Sequence, residues 1–203
     1  MANTTIMIVG VGGQGTLLAS RILGDLLMKQ GYDVKISEVH GMSQRGGSVV
    51  TYVKFGDAVS SPTIEEGCAD YILAFERCEA ARWLPYLKKG GTLIAADQRI
   101  DPMPVITGAA SYPENIFDTI RSLGVEPIVV DSVTLAEEAG SAKAANVVLI
   151  GALSRQFRFT QEAWEASIEA VVPEKFRELN LKAFRLGRES EKVKSDETYI
   201  MSS

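Results

Sequence analysis

The chain has 203 residues, 46% of them hydrophobic, a formal net charge of −5 and a single histidine. That length supports one sizeable core, or a core with a tail, and the acidic balance argues against a nucleic-acid or membrane-surface partner. No apolar run reaches the roughly 18 residues of a membrane span, the N-terminal MANTTIMIVG has no basic leader, and Cys68 and Cys78 lack the neighbours of a zinc or iron–sulfur site, so the expected compartment is the reducing cytoplasm.

The first element, TTIMIVG, is a short apolar run ending in glycine, which predicts a buried strand of a parallel sheet. GVGGQG follows, and then TLLASRILGDLLMKQG. There Leu18, Ile22 and Leu26 recur at helical spacing, Leu23 and Leu27 widen the stripe, and Gly31 closes the helix. DVKISEV predicts a second strand. After HGMSQRGG, the β-branched and aromatic residues of GSVVTYVKFG predict a third. Too few residues separate the second and third strands for a parallel crossover, which takes about a dozen or more. The third strand is therefore expected to run antiparallel to the second or to leave the sheet locally, which makes the sheet mixed.

ADYILAFE predicts a fourth strand, followed by a helix through Arg82 and Leu87. KKGG then turns the chain into the strand TLIAAD. PENIFDTIRSLG reads as a helix with Pro113 near its start, EPIVVD as a strand, and SVTLAEEAGSAKAANVVLIGALSRQF as helix broken near Gly140. Thr160 is placed to cap a helix carrying Trp164 and Ile168, and Pro173 to start the last one. Strands alternating with helices predict a three-layer α/β/α, Rossmann-like domain over residues 1–186, with a mostly parallel, partly mixed sheet. From Gly187 to Ser203 the sequence is charged and polar and reads as a tail, or as an arm lying on a partner.

Two stretches carry the candidate chemistry. Gly10, Gly12 and Gly15 satisfy G-x-G-x-x-G between a strand and a helix, with Gly13 a further glycine and Gln14 an amide. Such a turn admits a close approach by a ligand, and the helix start offers free amides to an anion; its other reading is tight strand–helix packing alone. Strand–helix–strand connectivity makes the first two strands parallel, so the loop after the second faces the same crevice. His40, Ser43, Gln44, Arg45, Gly46 and Gly47 are the candidates there. Arg45 suits a carboxylate or phosphate, and Glu38 could serve as a ribose-binding acid. The adjacent carboxylates Glu65/Glu66 and Glu137/Glu138 read as solvated surface. No catalytic triad, nucleophile elbow or metal cluster is visible.

GVGGQG, HGMSQRGGSVV and the later KAANVVLIGAL together resemble the gamma-type domain of 2-oxoacid:ferredoxin oxidoreductases, from about Thr5 to about Leu179. The HGMSQRGG form is most similar to members acting on indolepyruvate, whereas relatives acting on pyruvate or 2-oxoglutarate tend to carry other residues before RGG. The resemblance implies a larger partner subunit holding thiamine diphosphate, Mg and iron–sulfur clusters, with CoA and ferredoxin joining the complex, and no cofactor in this chain. It also implies a chain inactive alone, whose two loops line the subunit interface. A nicotinamide-dependent dehydrogenase built on Gly10, Gly12, Gly15 and Glu38, and a non-catalytic nucleotide-binding scaffold, are the alternatives.

Overall fold

The computed structural model describes residues 3–40 and 46–190, with His40 described in its backbone alone. A six-stranded sheet forms the middle layer. Its strands are β1 (Thr4–Val11), β2 (Asp33–His40), β3 (Ser48–Gly56), β4 (Ala69–Ala74), β5 (Leu87–Ala96) and β6 (Ile128–Val130). They lie in the order β2-β3-β1-β4-β5-β6. β1, β4, β5 and β6 pair in parallel, while β3 is antiparallel to both β1 and β2. Among these strands only β3 is reversed, as the short connection after β2 requires.

Alternation along the strands feeds two cores. Ile6 and Ile8 of β1, Leu73 of β4 and Ile94 of β5 face one side; Met7, Val9, Ile72 and Leu93 face the other. The first side is covered by α1 (Thr16–Lys29), with α5 (Ser132–Ala139), α6 (Ala145–Ser154), α7 (Gln161–Val171) and α8 (Arg177–Glu189) completing that layer. The second side carries α2 (Arg77–Trp83) and α4 (Ile116–Ser122), and the four-residue α3 (Met103–Ile106) lies between them in the chain.

Several boundaries differ from expectation. Leu87 opens β5 instead of closing a helix, and the KKGG turn lies inside that strand, with Gly90 at φ +78°. α3, flanked by Pro102 and containing Pro104, is too short to show a helical period. Pro173 precedes a single 3-10 turn, and α8 starts only at Arg177. Thr160 caps α7 by accepting from the Ala163 amide, and Gly140 ends α5, both as expected.

α8 also continues past residue 186, where the sequence places the start of the tail. Gly187 lies within this helix against α6: a Cβ there would sit 1.9 Å from the Val148 carbonyl oxygen, and one on Gly151 would sit 2.1 Å from the Phe184 carbonyl oxygen. Two helices meet backbone to backbone at these glycines, and a polar stretch is drawn into the fold by a contact that hydropathy does not register.

Candidate functional site

β1 and β2 point the same way, so the segments that follow them emerge at one rim. The β1–β3 ladder ends with Val11 opposite Ser48. Beyond it, the Gly12 amide donates to the Gly47 carbonyl at 2.8 Å, and the Gly46 amide donates to the Gly12 carbonyl at 3.4 Å. The two glycine-bearing turns are thus clamped by their own backbones. Ser43, Gln44 and Arg45 lie outside the described residues, as does the side chain of His40.

Within GVGGQG, the residues divide their tasks. The Gln14 Oε1 accepts from the Val11 amide at 2.7 Å, and its Nε2 donates to the Phe75 carbonyl at 2.7 Å and to Gln98 Oε1 at 2.9 Å. The amide expected to serve a ligand is therefore spent on tying β1, β4 and β5 together. Gly10 makes room for it, since a Cβ there would meet Gln14 Oε1 at 2.9 Å and Phe75 Cβ at 3.0 Å. Gly15 caps α1 in the left-handed region (φ +85°), and its carbonyl accepts from Asn146 Nδ2 at 3.2 Å. KAANVVLIGAL, far along the chain, thus delivers Asn146 onto the glycine turn.

Two buried acids that sequence reading passed over hold the neighbouring edge. Glu76 ends the segment after β4 and caps α2, accepting from the Glu79 amide at 3.0 Å and from the Tyr112 hydroxyl. Burial, then Cys78 and Glu76 beside it, pushes the Tyr112 phenol well up, so it stays protonated and donates. Glu79 accepts from the Ser48 hydroxyl, from Trp83 Nε1 at 3.1 Å and from Arg82 Nε at 3.0 Å. Ser48 opens β3 directly after Gly46 and Gly47, so Glu79 tethers the second turn from below. The signal for one of them was present in AFERCEAARW: an acid just after a strand and just before a helix is placed to cap that helix, as Glu76 does.

The glycine turn separates two cavities. One, of about 330 Å³, is lined by Gly12, Gly13, Gly15, Leu17, Glu38 and Val49. Glu38 is in reach of the turn as a ribose-binding acid would be, but its Oε2 accepts from Thr51 at 3.3 Å. The inserted β3 also places β2 one strand further from β1 than in a dinucleotide fold whose first two strands are neighbours. The other cavity, of about 400 Å³, opens beyond β4, β5 and β6.

Among the described residues no three of His, Cys, Asp or Glu group closely enough to hold a metal ion. Cys68 is exposed and Cys78 is half-buried, and both are free thiols. Gly24–Asp25 lies inside α1 and Gly56–Asp57 at the end of β3, and neither forms a diphosphate–metal loop. The described residues therefore offer no cysteine cluster to hold an iron–sulfur centre. No helix among them is long and apolar enough to cross a membrane.

Fold and rim define an α/β domain in which two glycine-bearing turns meet at one edge of a mixed sheet. The chain belongs to the pyruvate ferredoxin/flavodoxin oxidoreductase family, whose sequence profile matches residues 5–190. It is 44% identical over 194 residues to the indolepyruvate oxidoreductase subunit IorB of Pyrococcus horikoshii, covering 92% of this chain and 95% of that one. It is 31% identical to the 2-oxoglutarate synthase subunit KorC of Methanothermobacter thermautotrophicus, covering 91% and 93%. The fold matches the solved gamma subunit of the keto/oxoacid ferredoxin oxidoreductase of Geobacter sulfurreducens PCA, at a TM-score of 0.69 and 26% identity, over 94% of this chain and 99% of that one.

Proposed function

We propose that this chain is the smaller subunit of a 2-oxoacid:ferredoxin oxidoreductase acting on indolepyruvate or a related aryl pyruvate. The observation that carries the reading is the end-to-end likeness to an indolepyruvate oxidoreductase subunit, closer at 44% than the 31% to a 2-oxoglutarate subunit over a similar span. The overall reaction decarboxylates the 2-oxoacid, passes the released electrons to ferredoxin and joins the remaining acyl group to CoA. Thiamine diphosphate, when bound on the larger partner, supplies the carbanion chemistry, and iron–sulfur clusters there carry the electrons.

This chain's part is positional. Gly12, Gly46 and Gly47 present backbone at one rim with little side-chain bulk, which suits close contact with a partner surface. Closing that surface keeps water from a reactive carbanion or radical. His40, Ser43, Gln44 and Arg45 are assigned to the same interface, with Arg45 to meet the substrate carboxylate or a CoA phosphate.

The test is reconstitution. The chain alone should reduce no ferredoxin with indolepyruvate and CoA. Mixed with the larger subunit from the same cells, it should restore indolepyruvate-dependent reduction faster than with pyruvate or 2-oxoglutarate. Arg45→Ala should lower that activity while leaving the urea midpoint of the isolated chain in place. Equal rates with all three 2-oxoacids would remove the substrate assignment. Unchanged activity and subunit affinity in Arg45→Ala would remove the role of that loop.

A further inference from the structure

From Pro102 to Pro113 the sequence runs for twelve residues without a charge, in a chain that is 23% charged. Yet most of this stretch faces solvent. Met103 is 63% exposed, Ile106 is 65% exposed, and residues 107–111 are exposed beside them. Met103 and Ile106 stand three positions apart on the single turn of α3, so their side chains are neighbours on one face. Val105 packs against the second core and holds that turn to the body of the domain.

The segment is a loop closed at its neck. The Ile100 amide donates to Glu76 Oε1 at 3.3 Å, and the Tyr112 hydroxyl donates to the same oxygen. The Arg99 guanidinium lies 4.3 Å from the centre of the Tyr112 ring, a second brace between the two ends. Within the loop, the Ile106 amide donates to the Pro102 carbonyl at 3.1 Å and the Ala110 amide to the Pro104 carbonyl at 3.0 Å. Compact surface loops whose ends meet in this way are frequently functional. Glu76, 1% exposed, thus fixes the position of two aliphatic side chains that stand in water. A complex that needs them in that position gives up little ordering entropy on forming.

The loop also has a definite neighbour. Ile100 and Pro102 line a cleft of about 70 Å³ together with Gly46, Ser48, Glu79 and Arg82. The loop therefore stands beside the second glycine turn, on the rim assigned above to the larger subunit. An exposed methionine, arginines at the margin and a centre free of charge are the composition of an interface core. We propose that residues 100–112 form the apolar anchor by which this chain docks on the larger subunit, with Met103 and Ile106 seated in an apolar hollow of that subunit. The proposal rests on the subunit reading and adds the contact that supplies affinity: the glycine turns permit close approach, and the loop brings the side chains that become buried.

The full-length chain is immobilised, and the larger subunit purified from the same cells is passed over it. Met103→Asp and Ile106→Asp should each weaken binding by about tenfold or more, and the double variant by about 100-fold, as expected for anchors at the centre of an interface. Leu123 is exposed to a similar degree but lies after α4 and before β6, at the opposite rim of the sheet. Leu123→Asp should therefore change binding by no more than about twofold. The urea midpoints of the isolated variants should match the parent, because both side chains face solvent. Amide exchange at Thr107 and Gly108 should slow in the complex.

Equal affinity of the parent and the double variant for the larger subunit would reject the anchor and leave the subunit reading standing. Failure of the parent chain to bind that subunit at all would remove both. A parent chain that dimerises through this loop, shown by a monomeric double variant with unchanged affinity for the larger subunit, would make it a contact between copies instead. A double variant whose urea midpoint falls by about 1 M with unchanged affinity would show that the chain covers this face itself.

Discussion

Replacing Glu79 by alanine tests the tether beneath the second glycine turn. Its side chain is 5% exposed and accepts from Ser48, Trp83 and Arg82. These three donors are not equal. Arg82 is 59% exposed, so its ion pair contributes about 0–1 kcal/mol. Ser48 is exposed and can turn to water once released. Trp83 is half-buried, and its indole N–H loses a charged acceptor, a change of about 1–2 kcal/mol. The sum is about 2 kcal/mol. With a urea m-value of about 2 kcal/mol/M, the midpoint should fall by about 1 M. Glu79→Gln keeps the shape and one acceptor and should lose about half as much. Urea unfolding followed by circular dichroism gives the first number. Amide exchange at Gly12, whose N–H reaches the Gly47 carbonyl, gives the second: it should quicken in Glu79→Ala. A midpoint within the scatter of the parent, or an unchanged Gly12 exchange rate, would show that Glu79 does not hold this edge.

Gly15→Ala puts a Cβ 2.3 Å from Asn146 Nδ2 in a left-handed backbone, so it should cost about 2–3 kcal/mol, read as a fall in thermal midpoint. Gly187→Ala drives a methyl into the Val148 carbonyl at 1.9 Å, with backbone on both sides and no side chain to swing away. It should cost about 3 kcal/mol or more and shift much of the expressed chain into the insoluble fraction. Burial tends to push the Asp70 carboxyl up, but bonds from Lys88 and from the hydroxyl and amide of Thr5 outweigh it and hold it below its ordinary value. A depressed carboxylate adds stability above its unfolded pKa of about 3.9 and loses it as pH falls through the folded value. Asp70→Asn should therefore be less stable than the parent at pH 7, with the gap closing below about pH 4 in urea midpoints measured across pH. A gap independent of pH would locate the effect in packing.

Apolar period made β1, α1 and the reversed β3 legible, because strand face, helix stripe and connection length are all local properties. The rim was readable too, since parallel β1 and β2 follow from one helix between them. What each rim residue does was not. Gln14 looks like a ligand amide until Phe75 and Gln98, 61 and 84 residues away, claim its nitrogen. Asn146 caps a turn 131 residues earlier, and Glu79 reaches back to Ser48 across β1. Such pairings depend on which strands become neighbours. Gly151 and Gly187 were hidden for a different reason: a close helix approach needs a missing side chain, and an absence has no hydropathy.

The order β2-β3-β1 leaves β2 at the border of the sheet, with no strand among the described residues beyond it, and Ile36 and Val39 both stand exposed along it. A row of open amides and carbonyls edged with aliphatic side chains is a template for pairing with another chain. Produced without its companion, the polypeptide should self-associate as it is concentrated. Co-translation with that companion is then the practical route to homogeneous material.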